Sequence, residues 1–355
     1  MLKKYFSLLL LCFTSFFVYA NTDKLTHDQI SDQRWSAFSD VAELYLKNAN
    51  ANDFISMGDH EKDKWGNYPG ALSYYFMALN KNKKSIMAAY QVGTALAYLE
   101  INDEAIKYLN IAYQNGLWQY YLMKEDDELS LIRKTNAYQT LLEKVKVRYQ
   151  SHVTDAGKAK IFAPSDHPPK AGWPVVVWLS GYGTEGTDSQ SLADAFTEVH
   201  AIFIGINGTE KLNDHSFRWS NNDTTSTNDA VIAALKQAET QYPVNKNKVV
   251  LMGFSQGALH TAHLLADHPN LYSGALIISA GGWQKNMPKS TVNKKNIIIS
   301  YGKQEAESNR SLDQNLIHYF SLHNNVEVHT HNGAHFFDNS WEQAYPNYLI
   351  KIIND

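Results

Sequence analysis

A serine lies at the centre of the pentapeptide Gly253-Phe254-Ser255-Gln256-Gly257, in a pattern that can supply a nucleophile. An apolar run at residues 249–252 precedes it, and a helical pattern at 258–266 follows it. A strand, a tight turn and a helix in this order lift the serine hydroxyl out of the backbone, and the flanking glycines let the strand and the helix approach closely. The helix N-terminus can stabilise negative charge on an attacked carbonyl oxygen. The bare pattern arises by chance in roughly one chain in ten of this length. The candidate partner residues must therefore decide whether Ser255 is a nucleophile.

The candidate base is His335, which follows the last predicted strand of the chain in Asn332-Gly333-Ala334-His335-Phe336. A serine hydroxyl is a poor nucleophile until a base takes its proton, and the histidine in turn needs an acid to orient it. His329 and His331 alternate along the same predicted strand, which with His335 suggests a metal site. Because no carboxylate motif or His-Glu-x-x-His helix accompanies these histidines, we expect no metal and no other cofactor.

The acid is expected after the apolar run at 297–300, because in this chain order the acid lies between the serine and the histidine. Glu305 is the third residue after Gly302 and is the first choice. Glu307 is the runner-up, and Asp313 is a more distant third candidate. At least one of the two glutamates is expected to be an exposed loop charge.

The oxyanion of the tetrahedral intermediate needs two hydrogen-bond donors. One is the backbone N–H of Gln256, directly after the serine, and the other is expected from the loop after an earlier strand. That loop reads Ser180-Gly181-Tyr182-Gly183, and its glycines allow the backbone to turn the N–H of Tyr182 toward the site. An ordinary structural turn is the alternative interpretation.

Aromatic residues follow several predicted strands and could form the rim of a substrate site. They are Tyr182, Phe217, Trp219, Trp283 and Phe336. Such a rim suits an acyl chain or an aryl ester, and ordinary packing of long loops is the alternative. Arg218, between two of these aromatics, is a candidate for binding a substrate carboxylate or a sugar hydroxyl. It is equally able to pair with Asp214 or with another loop acid.

The elements that position these residues begin near residue 151, where apolar runs start to alternate with amphipathic helices. Strands are predicted at 159–162, 175–179, 201–206, 249–252, 275–278, 297–300 and 326–329. Helices are predicted at about 191–199, 229–242, 257–266, 312–322 and 341–353. Uninterrupted apolar strands separated by helices indicate a mostly parallel sheet covered on both faces. The fold class is therefore α/β, with a doubly wound sheet, and residues 151–355 form the predicted catalytic domain.

Residues 21–150 have helical spacing and an internal repeat. The segment at 71–78 aligns with that at 105–112 at a constant offset of 34 residues, which resembles the second helix of a tetratricopeptide repeat. Gly93 lies where two helices of that motif pack closely, whereas the first copy has Asp59 there, with Gly58 one residue earlier. The segment is expected either to form a helical bundle that packs on the catalytic domain or to bind a partner protein or a polymeric substrate.

The N-terminus resembles a secretory signal peptide over residues 1–20, with Lys3 and Lys4, an apolar run, and Val18 and Ala20 before a polar Asn21. We expect cleavage after Ala20 and a periplasmic or secreted protein without a membrane span. Cys12, the only cysteine, lies in this segment, so the remaining chain has no disulfide. The net charge of −4 and the lack of a basic stripe argue against nucleic-acid binding.

From about residue 159 to 353 the chain resembles the α/β-hydrolase superfamily, closest to the phospholipase/carboxylesterase and acyl-protein thioesterase branch. The shared marks are the loop at 180–183, residues 249–257 with the Phe-Ser-Gln core, and Gly333-Ala334-His335. The chain departs from that branch at Ser180, where histidine is usual, and at Glu305, where aspartate is usual.

The resemblance implies that Ser255 is the nucleophile and His335 the general base, with the N–H groups of Tyr182 and Gln256 as the oxyanion hole. The expected function is that of a serine hydrolase, first a carboxylesterase that forms an acyl-enzyme with a small-molecule or polymer-linked ester. A serine peptidase and an esterase of polysaccharides or lipids are alternatives with the same fold. A non-catalytic binding protein that uses the helical repeats is a third.

Overall fold

The computed structural model describes residues 46–282, 288 and 294–354. The predicted signal peptide and Trp283 lie outside these residues. The chain divides into two compact units. Within the described residues, the first comprises 46–117 and 127–139, and the second comprises 118–126, 140–282, 288 and 294–354. No helix within the described residues has the length and apolar content needed to cross a membrane.

The first unit contains two helical hairpins, followed by the short 3-10 helix Asp127–Leu129. Its helices are α1 (Ala51–Trp65), α2 (Tyr68–Lys81), α3 (Ile86–Tyr98) and α4 (Asn102–Gln114). Close packing in each hairpin depends on a glycine: a Cβ at Gly58 would lie 2.3 Å from the ring of Tyr75, and one at Gly93 would lie 2.7 Å from Leu109. The two hairpins thus use equivalent contacts, with Gly58 in place of the aligned Asp59. Assignment of these helices to the tetratricopeptide family stays a prediction.

The second unit is built on a seven-stranded sheet with the order β1-β3-β2-β6-β7-β8-β9. Strand β1 pairs antiparallel with β3, and all other neighbours are parallel. The strands are β1 (Ala159–Phe162), β2 (Trp173–Leu179), β3 (Ile202–Ile206), β6 (Val244–Phe254), β7 (Gly274–Ile278), β8 (Asn296–Gly302) and β9 (Asn325–His331). The predicted α/β fold class is confirmed.

Helices cover both faces of this sheet, as expected for strands that are apolar on both sides. Helices α8 (Thr225–Gln241), α9 (Gln256–Asp267) and α10 (Glu307–Ser321) contribute to the core on one face. Helix α7 (Gln190–Ala195), the 3-10 helix Thr197–Val199 and α11 (Trp341–Asn354) lie on the other. Strand β2 shows that both faces of the sheet are buried. Val175, Val177 and Leu179 face the first core, and Val176 and Trp178 face the second. Each fully buried aliphatic side chain contributes about 1.5–3 kcal/mol.

A small hairpin, formed by β4 (Glu210–Asn213) and β5 (Ser216–Arg218), was not predicted. Two helical segments of the second unit hold it: α5 (Tyr120–Glu125) and the part of α6 (Asn136–His152) that belongs to this unit. The Lys211 backbone N–H donates to the Tyr149 hydroxyl at 2.8 Å, and the Lys211 ammonium pairs with Asp155. Helix α5 and residues 140–149 of α6 therefore belong to the second unit although they precede residue 150, and a domain boundary near residue 151 remains a prediction.

Candidate active site

Ser255 occupies the sharp turn between strand β6 and helix α9. Its backbone has φ 54° and ψ −119°, a left-handed conformation that L side chains rarely adopt and that costs about 1–3 kcal/mol. The turn closes only because of its glycines. A Cβ at Gly257 would lie 2.0 Å from the Leu179 carbonyl oxygen, and one at Gly253 would lie 2.4 Å from the Gly257 oxygen. The predicted strand, turn and helix are present, and the strained backbone directs the serine side chain away from both elements.

His335 joins Ser255 to Glu305 by two hydrogen bonds. The distance from His335 Nε2 to Ser255 Oγ is 2.8 Å, and that from His335 Nδ1 to Glu305 Oε2 is 2.7 Å. The imidazole is one third exposed, whereas the Glu305 side chain is fully buried. Burial opposes ionisation of Glu305, but hydrogen bonds from His335 and from the Gly302 backbone N–H hold its pKa below the usual value. The carboxylate is therefore charged at neutral pH and can stabilise a protonated imidazole.

The loops that carry Glu305 and His335 are held against each other at the ends of the adjacent parallel strands β8 and β9. The Gln304 N–H donates to the Gly333 carbonyl oxygen at 2.9 Å. Gly302 allows this approach, because a Cβ there would lie 2.3 Å from the carbonyl oxygens of Gly333 and Ala334. His331, one of the competing histidines, accepts the Gly333 N–H at its Nδ1. His331 thus supports the loop that presents His335.

The other two candidate acids do not contact His335. Glu307 is exposed and is the first residue of α10. Asp313 is fully buried on the same helix, where its Oδ1 accepts the Ala280 N–H at 3.0 Å. Asn309, in the first turn of α10, was not predicted: its side-chain nitrogen lies 3.2 Å from His335 Nδ1. Sequence spacing could have indicated it only if the start of α10 had been placed correctly.

The two expected oxyanion donors belong to segments that adjoin Ser255. Gln256 is the first residue of α9, and a Cβ at Gly181, next to Tyr182, would lie 3.4 Å from the Ser255 Cβ. Within the described residues, neither the Gln256 N–H nor the Tyr182 N–H donates a hydrogen bond to the protein. Backbone N–H groups without an acceptor in the protein are the kind of donor that an oxyanion hole uses.

Trp219 is fully buried and binds the loop at residues 180–183. It therefore does not belong to the exposed rim that the sequence suggested. Its indole N–H donates to the Ser180 carbonyl oxygen at 2.8 Å. Its backbone N–H and carbonyl group bind the Gln256 side-chain amide at 3.0 and 2.9 Å. Phe217 is also buried, and its carbonyl oxygen accepts the Gly183 N–H. Of the predicted aromatic rim, Tyr182 and Phe336 are exposed.

Arg218 is directed to protein carboxylates, which is the alternative that the sequence left open, but its partners differ from Asp214. The guanidinium pairs with Glu125 through two contacts of 2.6 Å and with Glu210 through one of 2.7 Å. The Arg218 side chain is 5% exposed. The predicted contact of Arg218 with substrate therefore gives way to a structural role in holding the hairpin that carries Phe217.

His329, the other competing histidine, has two protein partners. His329 Nε2 lies 2.7 Å from Asp338, and His329 Nδ1 lies 2.9 Å from the Tyr348 hydroxyl. Across residues 46–282, 288 and 294–354, no group of three or more His, Cys, Asp or Glu side chains could hold a metal ion. The side chains that the structure brings together at the ends of the parallel strands are Ser255, His335 and Glu305.

Three of the solved structures that match the chain each cover just over half of it and most of their own length. A carboxylesterase from Bacillus cereus is 20% identical, with 58% of this chain and 98% of that chain covered and a TM-score of 0.46. A carboxylesterase from Mesorhizobium loti is 15% identical, with 55% and 96% covered and a TM-score of 0.46. A fluorophosphonate-binding serine hydrolase of Staphylococcus aureus is 14% identical, with 56% and 92% covered and a TM-score of 0.41.

No curated protein gives a significant match to the chain. The family profile described as phospholipase/carboxylesterase matches residues 161–352, which is more than half of the chain and includes Ser255, Glu305 and His335. The chain therefore belongs to the phospholipase/carboxylesterase family of α/β-hydrolases.

Proposed function

We propose that the protein is a serine hydrolase, first of all a carboxylesterase, that forms an acyl-enzyme on Ser255. The observation that carries the proposal is the continuous hydrogen-bond chain from Ser255 through His335 to Glu305, with distances of 2.8 and 2.7 Å. Family membership supports hydrolysis, and this chain of side chains supports the serine mechanism.

In the proposed mechanism His335 Nε2 takes the proton of the Ser255 hydroxyl while Oγ attacks the ester carbonyl carbon. The tetrahedral oxyanion receives the N–H groups of Tyr182 and Gln256, and each such donor contributes about a hundred- to a thousandfold in turnover. The imidazolium then gives its proton to the departing alcohol, which leaves an acyl ester on Ser255. A water molecule releases the acid by the same steps. Glu305 remains ionised throughout and keeps the His335 Nδ1–H in place.

The substrate that we propose is an ester whose carbonyl group reaches Ser255 from the side of Tyr182 and Phe336. Both aromatic rings are about half exposed, at 53% and 48%, and can contact an acyl or aryl group. Arg218 is neutralised by two carboxylates and adds no preference for an anionic substrate. Export after cleavage at Ala20 and a protein partner for helices α1–α4 remain proposals that rest on the sequence alone.

Hydrolysis of a p-nitrophenyl ester series with acetyl, butyryl and octanoyl groups tests the proposal, with the matching anilides as amide substrates. We expect ester hydrolysis with an initial burst of about one p-nitrophenol per enzyme, slower anilide hydrolysis, and loss of both in Ser255→Ala. Ser321→Ala, at the exposed end of α10, is the matched control. Faster cleavage of anilides would favour a peptidase. Equal hydrolysis by Ser255→Ala and the wild type would overturn the mechanism, and absence of hydrolysis in both would favour a binding protein.

A further inference from the structure

A second carboxyl group is buried behind the candidate active site, and the proposed mechanism does not use it. Asp313 on α10 is 0% exposed. Its Oδ1 accepts the Ala280 backbone N–H at 3.0 Å, and its Oδ2 is buried with no hydrogen-bond partner within the described residues. An ionised carboxylate normally accepts several hydrogen bonds. A buried carboxyl group with one oxygen that accepts none is therefore unusual for the ionised form.

The backbone that Asp313 holds forms a wall of the site. Ser279, Ala280 and Gly281 make the turn after strand β7, and Ser279 has a left-handed φ of 50°. The Ser279 N–H donates to the Ser300 carbonyl oxygen at 2.7 Å, and the Gly281 N–H donates to the Ser255 carbonyl oxygen at 3.0 Å. Asp313 binds the residue between them. The turn is thus fixed at three successive N–H groups, of which the central one depends on a side chain.

Gly281 shows how close this turn comes to the reacting groups. A Cβ at this position would lie 3.3 Å from Ser255 Oγ and 3.3 Å from His335 Cε1. A shift of the turn by a fraction of that distance would disturb the alignment of the serine and the imidazole. Small displacements of this kind reduce turnover strongly, because catalysis depends on reacting atoms held in near-attack geometry.

Asp313 and Glu305 belong to the same buried region, but their pKa values shift in opposite directions. Burial raises the pKa of Asp313 to about 8; the hydrogen bond from Ala280 opposes the rise, and the negative charge of Glu305 adds to it. Glu305, in contrast, keeps a lowered pKa through its bonds to His335 and Gly302. Helix α10 packs on β8 and β9, and the charged group that acts on Asp313 from these elements is Glu305, in the loop after β8. From the turn after β7, Asp313 accepts the neutral N–H of Ala280.

We propose that Asp313 is a positioning residue that works as a neutral carboxylic acid: it holds the turn at residues 279–281 against Ser255 and adds no second negative charge beside Glu305. This inference rests on the proposed function of Ser255. It assigns opposite charge requirements to two neighbouring acids. Glu305 must be ionised to hold the imidazolium, and Asp313 must keep its proton while its Oδ1 accepts a hydrogen bond. Asparagine has the shape and the acceptor of a neutral aspartic acid, so it should replace Asp313 but its homologue glutamine should not replace Glu305.

Ester hydrolysis by three variants tests the activity side of the proposal. Asp313→Asn should keep kcat/KM within about threefold of the wild type at pH 7, because the Ala280 N–H keeps its acceptor. Asp313→Ala should lower kcat about tenfold or more with little change in KM, because it leaves a buried donor unpaired and frees the turn. Glu305→Gln is the matched comparison and should lose several orders of magnitude. An Asp313→Asn variant as impaired as Asp313→Ala, or an Asp313→Ala variant as active as the wild type, would overturn the proposal.

Urea unfolding of the wild type and Asp313→Asn at several pH values reports the proton directly, even if Asp313→Ala does not fold. If the folded pKa of Asp313 lies above its unfolded value, the wild type loses stability as pH rises between the two values. Asparagine does not titrate, so this variant should gain stability relative to the wild type, by up to about tenfold in the folding equilibrium per pH unit between about pH 4 and 8. A constant difference across this range would mean that Asp313 is ionised and would refute the proposal. An inactive wild type would instead refute the proposed function and leave this second readout valid.

Discussion

The buried cation Arg218 is predicted to stabilise the fold mainly through Glu210 and much less through Glu125. Both carboxylates contact it at 2.6–2.7 Å, but the Glu210 side chain is 10% exposed and the Glu125 side chain is 41% exposed. The perturbation that we consider is Arg218→Met. Methionine keeps an apolar stem near the Tyr121 ring, over which the guanidinium carbon lies at 4.6 Å, and removes only the charge and the donors.

The expected loss follows from the burial of each partner. Removal of one member of a buried ion pair typically costs about 3–5 kcal/mol, because the other charge stays buried without a partner. In Arg218→Met, Glu210 is the buried charge that loses its partner. The contact of Glu125 with Arg218 contributes about 1 kcal/mol or less after solvent screening. We therefore expect Arg218→Met to cost about 4 kcal/mol and Glu125→Gln about 1 kcal/mol. Replacement of both charges in Arg218→Met/Glu210→Gln should cost less than Arg218→Met alone.

The pH dependence has a defined sign. Burial raises the pKa of Glu210 above its ordinary value, and the charge of Arg218 opposes this rise. Loss of Arg218 raises the folded pKa of Glu210 further. A carboxyl group whose folded pKa exceeds its unfolded pKa costs stability as pH rises through the interval between them. Arg218→Met should therefore be closer to the wild type at pH 5 than at pH 8.

Urea unfolding followed by tryptophan fluorescence at pH 8 and pH 5 measures all four proteins. The buried Trp219 is next to the substituted position and reports on it. The dominant role of the Arg218–Glu210 pair would be refuted if Glu125→Gln cost as much as Arg218→Met, or if the double variant were less stable than Arg218→Met. It would also be refuted if the loss in Arg218→Met were larger at pH 5.

Two further substitutions test the candidate site. Glu305→Gln should lower kcat for ester hydrolysis by about a thousand- to ten-thousandfold, because an amide favours the wrong imidazole tautomer. Glu307 is exposed, so Glu307→Gln should change kcat less than about threefold. Equal mild effects of the two substitutions would exclude Glu305 as the acid. Gly257→Ala places a Cβ 2.0 Å from the Leu179 carbonyl oxygen, so the turn must shift, and we expect a drop in kcat of at least about a hundredfold together with a lower unfolding midpoint; wild-type kcat in this variant would contradict the described geometry of the turn.

The sheet was predictable from the sequence because its strands are continuous apolar runs. The predicted ranges lie within one residue of the observed strands or inside them, as for 249–252 within Val244–Phe254. The sequence predicts that helix α10 begins near residue 312, but it begins at Glu307. Its first turn is polar, so it has no apolar periodicity from which the start could be predicted. The β4–β5 hairpin has short, largely polar strands, so its stability comes from tertiary contacts that local patterns do not contain.

The residues of the candidate site also divide into those that local motifs predict and those that depend on tertiary packing. Ser255, Glu305 and His335 each follow a strand of the parallel sheet, so their strand ends meet at one edge, and local motifs were enough to place them together. Arg218 pairs with Glu125 across 93 residues of sequence, and Asp313 binds Ala280 across 33. Contacts of this range depend on how α5 and α10 pack, and no spacing rule predicts them.

The central claim is that Ser255 is an activated nucleophile, and covalent labelling by a fluorophosphonate tests it most directly. The wild type should form one adduct per chain, and mass spectrometry of the digested protein should place it on Ser255. The rate of labelling should fall in His335→Ala, because the hydroxyl then loses its base. Absence of labelling in the wild type, or an adduct on another residue that persists in Ser255→Ala, would contradict the account.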